Sequence, residues 1–197
     1  PSTEMAYPGG TTQDPHNRAG IVAAMVQRSF AGPIANVFAF AVFLFGTDLL
    51  EQHPLATSLF LGLLTLRLLG RVVFTYVRGK RVPAGEPPLW LIGLSAYALS
   101  LPTGCYAAFV LHSNGYEGWN TVLMYVFVMV CAISGTTALA PHLRLGLGYQ
   151  ASLLSPVVVT SLVTDGVHRW VGASSAILFA AYAVMQAIRQ NAEYWNA

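Results

Sequence analysis

Charge is what this chain has least of. Lys, Arg, Asp and Glu make up 9% of its 197 residues, against roughly 25% in ordinary soluble domains. A globule of this size has too few charges to cover its surface. Cysteine is scarce too. Cys105 and Cys131 are the only two, both inside apolar runs, and they read as small core residues rather than a disulfide or metal pair. There is no basic tract with interleaved aromatics, and the net charge is only +2, which excludes a nucleic-acid binder. The chain also lacks a phosphate-binding glycine motif, paired His ligands on one helix and a nucleophile elbow. No catalytic site, cofactor or resident metal is therefore expected of this segment.

What the chain does have is apolar length. It is 55% hydrophobic, and its long runs predict an all-α integral membrane protein whose partner is the lipid bilayer. Six spans are expected: Ala31–Leu50, Leu55–Val77, Leu89–Leu111, Trp119–Ala140, Tyr149–Val163 and Trp170–Ile188. Glu51–Pro54, Arg78–Pro88, His112–Gly118, Pro141–Gly148 and Thr164–Arg169 are read as the connections. The fifth span is short for a hydrocarbon core of about 30 Å unless it takes in part of the loop before it. Pro1–Asn17 reads as a disordered tail, and Arg18–Phe30 as a short amphipathic helix lying at the interface before a six-helix transmembrane bundle. The chain begins without Met, which suggests a processed or excised segment.

Basic residues give the direction. Arg18, Arg28, Arg71, Arg78, Lys80, Arg81, Arg144 and Arg189 fall at alternate span ends, while Arg169 is the lone basic residue opposite. The positive-inside rule then puts both termini in the cytoplasm. Asp48, Glu51, Glu117 and Asp165 collect on the outer side.

Within "SLFLGLLTLRLLGRVVF" two arginines sit four residues apart. Arg71 lies near the inner headgroups and snorkels there. Arg67 is deeper, about 18 Å from the outer end of its span by a rise of about 1.5 Å per residue. A guanidinium in a span costs about 2.5–3.5 kcal/mol on insertion scales. Asn36, Ser134, Thr136 and Thr137 fall at a similar level, which predicts a polar layer joining three helices. Two other roles stay open for Arg67: snorkelling beside Arg71, and contact with a ligand.

Three further groups qualify as candidates. Pro102 and Pro156 interrupt spans three and five, and with Tyr106 and Tyr125 they form a candidate pocket or hinge for a small hydrophobic ligand. Tyr97 stands near them, while Trp119 and Trp170 read as interface anchors. His53, His112 and His168 lie in the three outer turns beside carboxylates. They read either as solvated loop residues or as a site for a metal or a proton. Gly172, Ala176, Ala180, Ala183 and Ala187 make a small-residue stripe that packs within the bundle or across a homodimer.

The matching residues "QRSFAGPIANVF", "LLTLRLLGR", "ISGTTALAP", "LLSPVVV" and "AIRQNAEYWNA" follow an order that resembles the membrane-associated sensory (MASE-type) domains preceding bacterial diguanylate cyclase and sensor histidine kinase modules. The resemblance implies a signal-input domain in the bacterial inner membrane. Its last helix would lead into a covalently attached cytoplasmic output domain, a cyclase or a kinase, beyond Ala197. No GGDEF, phosphoacceptor or ATPase motif occurs in the segment itself. The competing class is a small membrane transporter or channel subunit, which calls for a midplane site and broken helices.

Overall fold

A computed structural model describes residues 31–80, 89–116, 118–164 and 169–196. The tail and interfacial helix expected over 1–30 lie outside the described residues. The described residues form seven helices: α1 (Ala31–Gly46), α2 (Leu49–Gln52), α3 (Pro54–Lys80), α4 (Leu89–Asn114), α5 (Trp119–Leu139), α6 (Leu143–Val163) and α7 (Arg169–Asn196). Among the described residues α4, α5, α6 and α7 are long and apolar enough to cross a membrane. Large apolar side chains face outward: Phe45 is 94% exposed, Leu55 80% and Leu178 70%. In water such a surface drives association.

The expected first span divides in two. Helix α1 stops at Gly46, a weak helix former, and the Asp48 carbonyl then accepts from the amides of Glu51 and Gln52 at 3.0 and 2.9 Å to begin the one-turn α2. Pro54 opens α3 at a first helical position, where its missing N–H costs nothing.

The largest difference from the sequence reading is at α6. Pro141–Gly148 is not a loop, because the helix already starts at Leu143. Gly146 and Gly148 act as contact points rather than turn residues. Gly146 lies against Leu139 of α5, and Gly148 against the Tyr97 phenol of α4. The added turn and a half gives the fifth predicted span the length it lacked.

His142 caps this helix, its Nδ1 accepting from the Leu145 amide at 3.3 Å. Burial lowers the imidazole's affinity for a proton below its ordinary value of 6.5, and the Arg144 charge adds to this against an opposing backbone hydrogen bond. The neutral form is the capping form. The unfolded chain therefore takes up the proton first, so the cap's contribution is complete above pH 6.5 and declines as the pH falls below it. Once the base-catalysed intrinsic rate is divided out, the protection of the Leu145 amide against exchange should fall between pH 7 and pH 5. In His142→Asn, which caps without titrating, this loss of protection should vanish. An equal pH response in both proteins would exclude His142 as its source.

Helix α4 packs most closely on α6, α7 lies on α6 and α5, and α1 lies on α5. Gly104 is where α4 meets α6. A methyl group there would stand inside the contact distance of the Leu153 carbonyl oxygen and 3.1 Å from that of Ser152. The Ser100 and Ser152 hydroxyls share a hydrogen bond beside it. Pro102 and Pro156 flank this contact, and both helices continue through them.

Helix α3 is held differently, through an aromatic cluster toward the Asp48 end. Phe60 stacks on Tyr106 with centroids 4.3 Å apart and planes 12° from parallel. It also meets Phe40 at 5.2 Å and Phe127 at 6.3 Å. Thr57 donates to the Leu49 carbonyl at 3.0 Å, so the Tyr106 hydroxyl is the donor in their shared bond of 2.9 Å.

Candidate functional site

Toward the Arg144 end, consecutive residues of α6 grip consecutive carbonyls of α5. Tyr149 Oη donates to the Cys131 carbonyl at 3.0 Å, and Gln150 Nε2 to that of Ala132 at 2.8 Å. Gln150 Nε2 also bonds to Thr136 Oγ1, which itself donates to the Ala132 carbonyl at 2.6 Å. The Tyr149 ring lies flat on Gly135, leaving no room for a methyl group. In an apolar surrounding each such bond fixes the pairing of two helices, at roughly 0.6–2 kcal/mol apiece.

Helix α7 closes this region from the third side. Asn191 Nδ2 donates to the Ala140 carbonyl at 2.6 Å, tying α7 to the end of α5. Gln186 Nε2 donates to the Tyr182 hydroxyl at 3.0 Å. Between the three helices lies a groove of about 140 Å³, walled by Ala132, Thr136, Gln150, Phe179, Ala183 and Gln190, with Ile133, Tyr182 and Gln186 completing it. Ile133 and Tyr182 are exposed, so the groove opens sideways between α5 and α7. Among the described residues no charged side chain lines it.

The predicted polar layer meets this site in part. Thr136 is at its centre and buried. Ser134 is half-buried and donates to the Cys131 carbonyl at 3.1 Å. Thr137, one residue further round the helix, is exposed and bonds back to the Ile133 carbonyl at 3.0 Å. Arg67 is half-buried, and its charge bears on Cys131 and Tyr149. It does not line the groove. Asn36 lies on α1, outside the residues whose side chains are described.

The other expected groups lie apart from the groove. None of Pro102, Tyr106, Tyr125 and Pro156 lines it. Tyr106 belongs to the aromatic cluster, and Tyr125 faces Ser161 of α6. His53 packs its ring on Phe109 at 5.1 Å, His112 is exposed at the end of α4, and His168 lies outside the described residues. Among the described residues no three His, Cys, Asp or Glu side chains converge as metal ligands would. Of the small-residue stripe, Ala176, Ala183 and Ala187 are buried, and Gly172 lies under the Tyr116 ring, so much of the stripe packs within the fold.

Gln150 and Gln190 are not among the residues singled out from the sequence. Gln150 in "GYQASLLSP" was the available signal, a lone carboxamide inside an apolar helix that must find a partner there. No protein-family model, curated protein or solved structure matches the chain.

Proposed function

We propose that the chain is a membrane-embedded signal-input domain. In this reading α1 and α3–α7 are six spans, α2 is a connector, and the Arg144 end faces the cytoplasm of a bacterial inner-membrane protein. The domain senses a small ligand or the state of the membrane and passes the result through α7 to a cytoplasmic output domain.

The observation that carries the reading is the course of α7. One helix without a proline or a break runs from Arg169 to Asn196. It supplies Phe179, Tyr182, Ala183, Gln186 and Gln190 to the groove, then continues as a polar segment in which Arg189 pairs with Glu193 at 2.8 Å. Whatever occupies the groove touches the same rigid element that leaves the bundle. A ligand that favours one packing of α7 against α5 and α6 shifts the population of α7 positions by its difference in affinity for the two packings. The diguanylate cyclase or histidine kinase output rests on the sensory-domain resemblance alone.

The coding sequence downstream of Ala197 should encode such a module. In that full-length protein Arg67→Leu should leave membrane insertion unchanged but lock or abolish the response if the polar layer is the switch. A wild-type dose response in Arg67→Leu would reduce Arg67 to a snorkelling anchor. A coding sequence that ends without an output module, together with substrate flux in proteoliposomes, would replace the sensory reading with transport.

A further inference from the structure

The groove between α5, α6 and α7 carries more chemistry than a packing gap. Gln150 is 1% exposed, and its Oε1 has no hydrogen-bond partner among the described residues. Turning the amide over does not relieve this. Its nitrogen faces the Ala132 carbonyl, which can only accept, so the oxygen must stay on the other side. Gln190 Oε1, also buried, is likewise without a partner among the described residues. Two carboxamide acceptors are thus held at one small site from two helices. Buried acceptors in folded proteins are nearly always matched by a donor. The Tyr182 hydroxyl accepts from Gln186, which leaves its own proton to donate.

The remaining walls set the rest of the ligand. Phe179, Ala132 and Ala183 are apolar, and among the described residues no charged side chain lines the groove to offer an ion a counter-charge. A volume of about 140 Å³ is close to the cavity of roughly 150 Å³ that accepts benzene in a soluble protein. The mouth opens sideways past Ile133 and Tyr182, in the direction of the surrounding lipid.

We infer that this groove binds a small neutral ring compound bearing an O–H or N–H group, of the phenol or indole class, entering from the lipid phase and donating its one proton to Gln150 Oε1 or Gln190 Oε1. The inference gives the sensory reading its ligand class and rests on that reading for the consequence to α7. Binding itself is measured without reference to output.

The test compares 4-fluorophenol with 4-fluoroanisole by fluorine NMR, using the protein in lipid nanodiscs and empty nanodiscs to subtract partitioning. The two probes share a ring, and only the phenol has a donor. The expected result is saturable binding in which the phenol is favoured by about tenfold, the scale of one buried hydrogen bond. In Gln150→Met, in Gln190→Met or in both, the preference should fall to about threefold or less, and the half-buried Gln190 keeps the test readable where a fully buried substitution upsets folding. Equal binding of the two probes to the wild type would overturn the inference. So would the absence of saturable phenol binding, or a preference that survives both substitutions.

A spin-label distance from Ala192 to Arg144, each replaced by labelled cysteine with the exposed Cys105 changed to serine, separates the two levels. Phenol binding with an unmoved α7 would leave the site standing and remove the sensory consequence. An α7 that moves in response to another stimulus, with no phenol bound, would remove the site and leave the sensory reading.

Discussion

Gly104→Ala should destabilise the fold by about 3 kcal/mol, at the upper end of what overpacking a core costs. The added methyl group would meet the carbonyl of Leu153, with its carbon 3.0 Å away and the Ser152 oxygen at 3.1 Å. These are backbone atoms of α6, and no rotamer change moves them aside. The helices must separate along their closest contact, and the Ser100–Ser152 bond beside it goes with them. Gly62 of α3 provides the control, because nothing lies within 4 Å of a methyl group there. Gly62→Ala should be neutral or stabilising by up to about 1 kcal/mol through helix propensity. Unfolding by added SDS in bicelles reads both. Equal midpoints for the two variants would contradict the close approach of α4 and α6.

Tyr106→Ala should cost about 3 kcal/mol, the lower end for deleting a buried aromatic ring, and the loss should concentrate on α3. Tyr106 is the surface on which Phe60 stacks, and its hydroxyl reaches Thr57 on the same helix. Removing the ring takes away both attachments at once and leaves a gap between Phe43 and Phe109, which also flank it. Tyr106→Phe keeps the stack and loses the hydroxyl, a change worth about 1 kcal/mol. Amide exchange along Pro54–Arg67 should therefore rise strongly in the alanine variant and slightly in the phenylalanine variant, with α6 nearly unaffected. A uniform rise across all helices would show that Tyr106 supports the whole bundle rather than the seat of α3.

Much of the helical plan can be read from hydropathy, because apolar length is a property of each segment alone. Leu89–Leu111 and Trp119–Ala140 were expected as helices, and the observed α4 and α5 end three residues later and one residue earlier. Hydropathy fails where a residue's meaning depends on its neighbours in space. Gly146 and Gly148 look like turn residues in sequence, yet they are the points at which α6 touches α5 and α4. Gly46 looks like part of a span, yet the helix ends there. The same limit applies at the site. Thr136 was legible as a polar group at the right level, but Thr137 faces outward, since one residue of a helix turns the side chain by about 100°. Gln150 was missed because its importance lies in facing the Ala132 carbonyl, a partner eighteen residues away.

The pairing of α4 with α6 also sets an order of events during synthesis. Their contact joins Gly104 to Leu153, with all of α5 between them. At about 5–20 residues per second, Gly104 waits on the order of 3–10 s for its partner to be translated. During that time the notch on α4 faces lipid or the insertion machinery, and the α4–α5 hairpin has to persist without its tightest contact. A pause or truncation in the codons for α6 would therefore strand an inserted but unfinished half, open to quality-control proteases before α7 is made.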